Sequence, residues 1–433
     1  MRTLHVYLNT TRVGVLSEGS DLWSFAYDSA WADSALSFDL APGLPRGQLL
    51  HADGGTNRPV QWYFDNLLPE EKLRETVSKE AGLKGDDAFA LLEYLGAEST
   101  GSLVLLPPEQ AVPETGDLQP LSDEALSQRI RDLPRESLSK DAPKRMSVAG
   151  AQNKLLVVYR NGQLFEPVGA QPSTHILKPD HTSDDYPASV INEYITMRLA
   201  EKLGLQTPKV YRRYVPESVY IVERFDRYAD AGGRTQRRHI IDACQLLNKS
   251  RTFKNSAATL ATLAECIDQC RNKASARLQL YKWLVFNVLV ANDDNHLKNI
   301  SFSVGADGIS LCPAYDLLST GAYHTRAFTD HRATWPAVPM MIPLPGASTF
   351  GEVTRTALLV AAEALGLSRR IGERELHRMA NGLPQALADL VREVEEENAH
   401  YPDPVRAQLG GELRLLRTVQ HLVVPEMLAR VNA

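Results

Sequence analysis

The sequence contains few cysteines and no surplus of positive charge. Its four cysteines lack the CxxC spacing of zinc and redox sites, and a chain of 433 residues does not need disulfides as staples. Cys266 and Cys270 stand one helical turn apart with no His or Cys pair nearby, so we expect them to pack in a core rather than bind a metal. The net charge of −6 argues against a free-standing nucleic-acid binder, which needs a positive surplus to displace counterions from phosphate.

A long apolar run is also missing. The longest apolar stretch, residues 280–290, contains Lys282 and Asn287 and is much shorter than the roughly 20 residues that span a bilayer. The N-terminal residues alternate in polarity and do not resemble the apolar segment of a signal peptide. We therefore expect a cytoplasmic protein with reduced thiols and no membrane partner. With 43% hydrophobic and 23% charged residues, the composition is that of a folded globular protein.

The chain is long enough for two or three domains, and its patterns change along its length. Apolar residues alternate over residues 4–8 and again over 13–15, which predicts a hairpin, and helical patterning follows from Val60 to about Leu95. We therefore predict an N-terminal α/β module. The next segment is rich in Pro, Asp, Glu and Ser and includes one amphipathic piece, residues 123–133, which indicates a connector.

A different pattern follows the connector. Two strands are predicted around the turn dipeptide Asn161-Gly162, because both residues accept positive φ. A short strand over 175–178, a helix over 188–203 closed by Gly204, and two more strands come next, which is the order of a kinase small lobe. Helical patterns dominate the remainder. The predicted fold class is α+β, with four parts in chain order: the N-terminal module (1–108), the connector (109–143), a kinase-like small lobe (144–226) and a mostly helical large lobe (227–433).

The segment Asp-Asn-His-Leu-Lys-Asn at residues 294–299 follows a predicted buried helix and offers the groups that phosphoryl transfer needs. That reaction requires bound phosphates, bound Mg²⁺ and a carboxylate beside the attacking hydroxyl. Asn299 follows Asp294 by five positions, the spacing of base and metal ligand in a kinase catalytic loop. Lys298 could neutralise charge on the transferred group, and Asp316, after a predicted hairpin about Asp307-Gly308, could complete the Mg²⁺ site.

These residues also have a simpler interpretation. Asn, Asp and His are common where helices end, so residues 294–299 taken alone would more often be a helix-terminating turn. Asp316 alone would more often be a cap or a surface acid. The order of buried helix, loop, hairpin and second Asp favours the catalytic interpretation. Asp293 competes with Asp294 for the role of base, but only Asp294 has the five-residue spacing to Asn299.

Residues further upstream could bind a nucleotide. The segment Ser-Val-Ala-Gly-Ala-Gln at 147–152 offers backbone N–H groups that could approach phosphates, although an ordinary turn is the simpler interpretation. Lys178 is predicted to face inward and to pair with ATP phosphates or with Glu193, and a surface lysine at a strand end is an equal alternative. Glu223 and Phe225 end a strand at the expected lobe boundary, where backbone groups could meet an adenine edge. An ordinary strand that ends in charged residues would show the same sequence pattern.

Taken in order, five sets of residues resemble the HipA family, the kinase toxins of bacterial toxin–antitoxin pairs. The resemblance covers nearly the whole chain, and one departure is Asn295, where the family usually has Gly; Asn tolerates positive φ. The matching segments are Phe-Asp-Asn-Leu-Leu-Pro at 64–69 with Gly-Ser-Leu-Val-Leu-Leu-Pro at 101–107, the 147–152 segment, Thr-His-Ile-Leu-Lys at 174–178, Val-Glu-Arg-Phe-Asp-Arg at 222–227, and the 294–299 segment with Tyr315-Asp316.

The resemblance implies an ATP- and Mg²⁺-dependent serine/threonine-protein kinase. Asp294 would then be the catalytic base, Asn299 and Asp316 the Mg²⁺ ligands, and Lys178 the ATP-phosphate lysine. Ser147 matches the serine that the family autophosphorylates, and its modification would add about −1.5 to −2 charge, repel ATP and eject the loop. The residues expected to contact the nucleotide are Ser147, Val148, Ala149, Gly150, Ala151, Gln152, Lys178, Glu223 and Phe225.

The resemblance also implies partners, and other functions stay open. Family membership implies a HipB-like helix-turn-helix antitoxin, operator DNA within that complex, and a protein substrate of the aminoacyl-tRNA synthetase class. A second enzyme hypothesis is a small-molecule kinase of the aminoglycoside phosphotransferase type, which the N-terminal module and the 147–152 segment disfavour. A third hypothesis is a catalytically silent nucleotide-binding corepressor. Basic clusters at 234–238 and at Arg369-Arg370 could touch DNA there, although solvated loops are the simpler interpretation.

Overall fold

The computed structural model describes residues 1–147, 149–406 and 408–433 and confirms the predicted α+β class. Contacts divide the chain into two compact units. Unit 1 comprises Met1–Lys178, Ile221–Lys254 and Ser301–Cys312, and unit 2 comprises Pro179–Tyr220, Asn255–Ile300 and Pro313–Ala433. The four-part division along the sequence, with boundaries at residues 108, 143 and 226, stays a prediction.

Unit 1 begins with an antiparallel five-stranded sheet. Its strands, numbered one to five along the chain, lie in the spatial order four, three, two, one, five. Trp23, Phe25 and Tyr27 alternate with more exposed residues, so their rings lie on one buried face. The predicted hairpin over residues 4–15 is confirmed. The strands are Arg2–Leu8, Thr11–Gly19, Leu22–Tyr27, Leu50–Ala52 and Leu103–Leu106.

The helical pattern from Val60 to about Leu95 forms three helices. Gly82 ends the second helix with a φ of 67°, a left-handed conformation that a residue without Cβ adopts at low cost. The Asp87 carboxylate accepts the Ala90 N–H and so begins the third helix. Gly82 and Asp87 therefore divide the region into separate helices, whereas the apolar periodicity alone continues across them. The helices are Pro59–Asp65, Glu71–Ala81 and Ala88–Leu95, preceded by a short helix at Ser29–Ala32.

The second sheet of unit 1 includes the strands around the predicted turn dipeptide. Asn161 and Gly162 have φ values of 52° and 76°, as a type I′ hairpin turn requires. The predicted connector contributes a helix, Asp123–Arg131, and also an edge strand that the pattern did not predict, because its sequence Gly-Asp-Leu-Gln-Pro includes none of the β-branched or aromatic residues typical of strands. Four neighbouring strands of this sheet, in spatial order, are His175–Pro179, Leu155–Arg160, Gln163–Gly169 and Gly116–Pro120.

A third sheet and a small hairpin complete unit 1. The hairpin predicted about Asp307-Gly308 is confirmed, and Gly308 has a φ of 106°. It pairs with a strand that comes much earlier in the chain, which no local pattern indicates. The three strands are Ile240–Asp242, Ser301–Gly305 and Gly308–Leu311, and the small hairpin pairs Arg227–Ala229 with Thr235–Arg237.

Unit 2 is mostly helical. Lys273–Leu289 is buried along its C-terminal half, and Asn272 caps it by accepting the Ser275 N–H. The helix predicted over 188–203 is confirmed, and Gly204 closes it with a φ of 79°. Within the described part of the chain, no helix is both long and apolar enough to cross a bilayer.

Unit 2 contains several further helices and strands. The helices of eight or more residues are Ser189–Lys202, Leu260–Gln269, Lys273–Leu289, Arg355–Ala364, Arg369–Asn398, Leu409–Thr418 and Val424–Asn432. Shorter helices are Ala243–Leu246 in unit 1 and Arg326–Thr329 and Asp403–Arg406 in unit 2. The strands are Val210–Tyr214, Pro339–Leu344 and Ala347–Thr349, while the residues of Ser218–Glu223 divide between the two units.

His239, buried in unit 1, makes the stability of the protein depend on pH. Its Nε2 donates to the Leu40 carbonyl at 2.8 Å and its Nδ1 accepts from the Ser102 hydroxyl at 2.8 Å, so the neutral imidazole fits the site. Burial lowers the pKa of His239 to about 4. The unfolded chain therefore binds a proton near pH 6.5 that the folded chain does not bind until about pH 4.

Lowering the pH from 6.5 to 5 is accordingly expected to reduce the free energy of unfolding by about 1.5 kcal/mol through this imidazole. Urea unfolding at both pH values measures the change. The variant His239→Gln has no titrating group there, so its pH dependence should be smaller by that amount. An identical pH dependence in both proteins would contradict the prediction.

Candidate active site

The loop after the buried helix Lys273–Leu289 carries the predicted catalytic residues. The chain turns at Ala291, which has a φ of 52°. Asn292 then ties the loop to the helix: its N–H donates to the Asn287 carbonyl at 2.8 Å, and its side-chain amide donates to Asn287 Oδ1 at 2.7 Å. Asn287, which the sequence shows as an interruption in an apolar run, therefore anchors the start of the loop.

The Asp294 backbone is fixed from both sides while its carboxylate stays accessible. The Asn292 side chain accepts the Asp294 N–H at 3.1 Å, and the Asn299 amide donates to the Asp294 carbonyl at 2.8 Å. The Asp294 side chain is 61% exposed, whereas Asn299 and Lys298 are buried. A general base needs this combination, because it must reach an incoming hydroxyl from a fixed position. The loop also follows the end of a helix, so the interpretation as a helix-terminating turn describes its backbone. That interpretation does not account for the exposed carboxylate of Asp294.

Asp293, the competing base, is engaged elsewhere. Its N–H donates to the Thr320 hydroxyl at 2.7 Å, and its carboxylate lies 3.2 Å from Nε2 of His324. Thr320 in turn donates to the Ala291 carbonyl at 3.2 Å. These contacts make Asp293 part of the support of the loop, which favours Asp294 as the base. Periodicity did not indicate His324, because it ends a short 3-10 helix, Thr320–His324, that lies well beyond the loop in sequence.

Asp316 lies in a short segment that returns to the loop. The hydroxyl of its neighbour Tyr315 donates to the Lys298 carbonyl at 2.7 Å. Asp316 itself has a φ of 57°, a left-handed conformation that Asp and Asn tolerate better than most residues. Burial raises the pKa of the Tyr220 hydroxyl well above its ordinary value, and the carboxylates of Glu193 and Asp316 raise it further. Those two acids therefore lie close to one buried hydroxyl in unit 2.

Asn299 and Asp316 suit a magnesium ion. The hydrogen bond from the Asn299 amide to the Asp294 carbonyl fixes the amide, so that its oxygen is the atom that can ligate. Among the described residues, no three His, Cys, Asp or Glu side chains gather as an all-protein metal site. Mg²⁺ in phosphoryl-transfer sites does not need such a cage, because it uses one or two protein ligands together with phosphate oxygens and water. The residues present thus fit the ion.

The nucleotide candidates of the 147–152 segment lie in unit 1. Ser147 is buried, and Val148 lies outside the described residues. The Ser147 N–H donates to the Glu98 carbonyl at 2.7 Å, and the Ala149 N–H donates to the Thr100 hydroxyl at 3.0 Å. These two N–H groups therefore have protein acceptors in this conformation. The partly exposed Gly150, Ala151 and Gln152 form the rest of the segment, and its role in binding a nucleotide stays a prediction.

Lys178, Glu223 and Phe225 also belong to unit 1. Lys178 is 6% exposed on its strand, so the surface-lysine alternative does not hold. A buried ammonium needs anionic partners. Glu193 lies in unit 2, and its predicted pairing with Lys178 stays a prediction. Glu223 and Phe225 are partly exposed and the Arg224 between them is buried, where the strand Ser218–Glu223 ends and a turn begins.

Sequence reasoning missed the acid that holds the 222–227 segment in place, Glu98. Its carboxylate is fully buried and accepts from Lys144 at 2.8 Å, from the Ser173 hydroxyl at 2.6 Å and from Arg227 at 3.0 Å. Burial alone would raise the pKa of Glu98, but Lys144 and the arginines around it hold that pKa well below its ordinary range.

A second buried acid completes this charge cluster. Asp226 pairs with Arg224 at 2.7 Å and accepts the Gly101 N–H at 3.0 Å. Burial and the neighbouring charge of Arg224 lower the pKa of Arg227 to about 10. The charged residues of Arg-Phe-Asp-Arg, which directly follow an apolar strand, were the available signal, since charges that become buried need buried partners. Glu98 is distant from this segment in sequence, so its pairing with Arg224 and Arg227 could not be assigned from the sequence.

The predicted site residues therefore form two groups. Asp294, Lys298, Asn299 and Asp316 lie in unit 2, whereas Ser147, Lys178, Glu223 and Phe225 lie in unit 1. Fixed backbone around an exposed acid, with an amide and a second acid nearby, is an arrangement that can perform phosphoryl transfer. The individual roles stay predictions.

Comparison with known proteins identifies the family. Residues 4–106 match the HipA N-terminal domain and residues 146–387 match the HipA-like C-terminal domain. Serine/threonine-protein kinase toxin HipA of Shewanella oneidensis is 31% identical over 94% of this chain and 94% of its own length, and Y4mE of Sinorhizobium fredii is 33% identical over 96% and 99%. The structure of Shewanella oneidensis HipA with HipB and operator DNA has a TM-score of 0.76 at 28% identity and covers 98% of this chain and 99% of that one. The chain belongs to the HipA family and is a protein serine/threonine kinase.

Proposed function

We propose that this kinase transfers the γ-phosphate of ATP to a serine or threonine hydroxyl of a protein, with Asp294 as general base. The exposed carboxylate of Asp294 carries this proposal, because Asn292 and Asn299 fix the backbone on either side of it. In this role Asp294 accepts the proton of the attacking hydroxyl as the oxygen approaches phosphorus. Lys298 neutralises charge that develops on the transferred group.

The remaining residues hold the nucleotide and the ion. Mg²⁺, held by Asn299 and Asp316, supplies charge neutralisation at the phosphates. Lys178 pairs with ATP phosphates, and Glu223 and Phe225 meet the adenine edge through their backbone groups. Burial of Lys178 supports its role, because an ammonium away from water needs an anion such as a phosphate. The 147–152 segment covers the phosphates.

We further propose that the protein is the toxin of a toxin–antitoxin pair in the cytoplasm. Its partners are a HipB-like helix-turn-helix antitoxin and operator DNA within that complex, and its substrate is a translation protein of the aminoacyl-tRNA synthetase class. The Shewanella oneidensis relative, whose solved structure contains HipB and operator DNA, supports the partners. The net charge of −6 fits DNA contact that depends on a partner rather than on this chain alone.

Autophosphorylation of Ser147 would switch the kinase off. The Ser147 side chain is 1% exposed, and its hydroxyl donates to the Leu67 carbonyl at 2.5 Å. The serine must leave this position before it can accept a phosphoryl group. A phosphoserine could not return, because it has no hydroxyl hydrogen for Leu67 and would bring a double negative charge against buried carbonyl oxygens. The modified segment would therefore stay released, away from the nucleotide.

The test is phosphopeptide mapping after brief expression in cells, comparing wild type with Asp294→Ala. We expect wild type to arrest growth and to produce new phosphosites on a translation protein and on Ser147, all absent in the variant. An equally toxic variant would contradict catalysis as the cause of arrest and would favour the corepressor hypothesis. Phosphorylation confined to small alcohols in an extract would favour the small-molecule kinase instead.

Asp316→Asn tests the metal site without disturbing the backbone. Asn also tolerates the φ of 57° at this position, so the change removes charge and little else. We expect the Mg²⁺ concentration needed for half-maximal phosphoryl transfer to rise at least about tenfold, since a charged oxygen ligand is replaced by a neutral one. A magnesium titration of initial rates measures this. Asp307→Asn, at the tip of the hairpin formed by Ser301–Gly305 and Gly308–Leu311, is the matched control and should behave as wild type.

A further inference from the structure

The segment that begins with Ser147 is attached to the N-terminal module within unit 1. The Ser147 N–H donates to the Glu98 carbonyl at 2.7 Å, and the Ser147 hydroxyl donates to the Leu67 carbonyl. Two separate turns of the module therefore hold one residue. Glu98 is in turn fixed by its own buried carboxylate, which Lys144 contacts at 2.8 Å.

The next residues of the segment use the same two turns. The Ala149 N–H donates to the Thr100 hydroxyl at 3.0 Å, and the Gly150 carbonyl accepts the Glu70 N–H at 3.1 Å. Pro69 and Gly150 also form a parallel bridge. We call residues 67–70 and 98–100 the seat of the segment. In this conformation, the hydrogen bonds that hold the segment are made to residues of the seat and do not require a bound nucleotide.

Thr100 differs from the other groups of the seat. The contacts from Leu67, Glu70 and Glu98 use backbone atoms, whereas the contact from Thr100 uses its hydroxyl. A substitution at Thr100 can therefore remove one contact and leave the backbone of the module unchanged. Thr100 is partly exposed, so water can replace part of what the hydroxyl provides.

We propose that Thr100 is a positioning residue that keeps the 147–152 segment seated, so that the N-terminal module sets the balance between two states of the kinase. The seated state holds the segment at its two anchored residues, Ser147 and Ala149, and leaves Gly150, Ala151 and Gln152 to meet ATP. The released state frees Ser147, whose hydroxyl is otherwise buried against Leu67. The inference rests on the proposed function of the segment and adds the group that regulates it.

A contact inside the segment limits the size of the effect. Lys154 Nζ donates to the Ala149 carbonyl at 2.8 Å, and this bond does not depend on the seat. Gly150, with a φ of 106°, lets the lysine approach, because a Cβ there would lie 2.9 Å from Nζ. Loss of the Thr100 hydroxyl should therefore shift the balance toward release without unfolding the segment.

Thr100→Val is the test, because valine has the shape of threonine and lacks the hydroxyl, and Thr100→Ser is the matched control that keeps it. Amide hydrogen exchange over residues 145–153 without nucleotide should become about tenfold faster in the valine variant. The KM for ATP should rise about fivefold, with kcat nearly unchanged. Autophosphorylation of Ser147 at saturating ATP should become faster, while transfer to other proteins at low ATP becomes slower. Thr100→Ser should match wild type in all measurements.

If Thr100 had only a structural role, its loss would slow both reactions. Faster autophosphorylation of Ser147 together with slower transfer to other proteins would therefore indicate a positioning role. Unchanged exchange in Thr100→Val, or equal changes in the serine control, would overturn the proposal. If the valine variant does not fold, Thr100→Ala carries the same test with the same serine control. If exchange becomes faster in Thr100→Val but the wild-type protein transfers no phosphate, the proposed role of Thr100 in seating the segment would stand and the kinase proposal would be rejected. The two failures are therefore distinguishable.

Discussion

Asp294→Asn is expected to lower the rate of phosphoryl transfer by about a thousandfold, because an amide cannot accept the proton of the attacking hydroxyl. The replacement has the size of the carboxylate and keeps the backbone hydrogen bonds to Asn292 and Asn299 available. The KM for ATP should change little, since the carboxylate acts on the acceptor and not on the nucleotide. Single-turnover transfer of radiolabelled phosphate to a cell extract or to Ser147 measures the rate.

Asp293→Asn is the matched control for that experiment. The same chemical change is made one residue away, at the acid that lies 3.2 Å from His324. We expect a loss of no more than about tenfold, because only the support of the loop is weakened. A large loss in Asp293→Asn together with an active Asp294→Asn would move the role of base to Asp293 and would refute the assignment made from the spacing.

Glu98→Gln is expected to destabilise the protein by about 3–5 kcal/mol. The Glu98 carboxylate is fully buried and lies 2.8 Å from Lys144 and 3.0 Å from Arg227. With a neutral amide at this position, Asp226 would be left to balance the buried cations around it, which are Lys144, Arg224, Arg227 and Arg237. Removing one partner of a buried ion pair leaves charge uncompensated away from water, which costs far more than losing an exposed pair. Urea unfolding at neutral pH measures the change.

Glu393→Gln provides the comparison for this prediction. Glu393 pairs with Arg198 at 2.7 Å, but its side chain is 37% exposed. Water can solvate the arginine that is left, so we expect a loss below about 1 kcal/mol. If the two substitutions cost the same, the buried cluster would not be a main source of stability. The cluster also affects the 147–152 segment, because the Glu98 backbone carbonyl accepts the N–H of Ser147.

The local elements of this protein were predictable because short-range patterns control them. The turn at Asn161-Gly162 depends on two residues that accept positive φ, and Gly204 ends a helix for the same reason. The hairpin at Asp307-Gly308 follows the same logic. The helical region from Val60 to Leu95 was resolved less well, because apolar periodicity continues through the caps that divide it.

The candidate site was predictable in part for a similar reason. The five-residue spacing from Asp294 to Asn299 is a property of one loop, and the structure confirms that this loop follows a buried helix. The supporting contacts were not predictable: Asn287 appeared as an interruption and His324 as an unremarkable residue. Both act through hydrogen bonds to the loop, and hydrogen bonds between distant residues leave no periodic signal in a single sequence.

The sequence by itself determined the class of the fold, several of its hairpins and helix ends, and the loop from Asp294 to Asn299, because each depends on residues that are close along the chain. Only the tertiary structure decided which acid is exposed and which is engaged, that Glu98 lies within a cluster of cations, and that Ser147 is seated against the N-terminal module. Burial and charge pairing depend on what surrounds a side chain in space. A single sequence does not specify those surroundings.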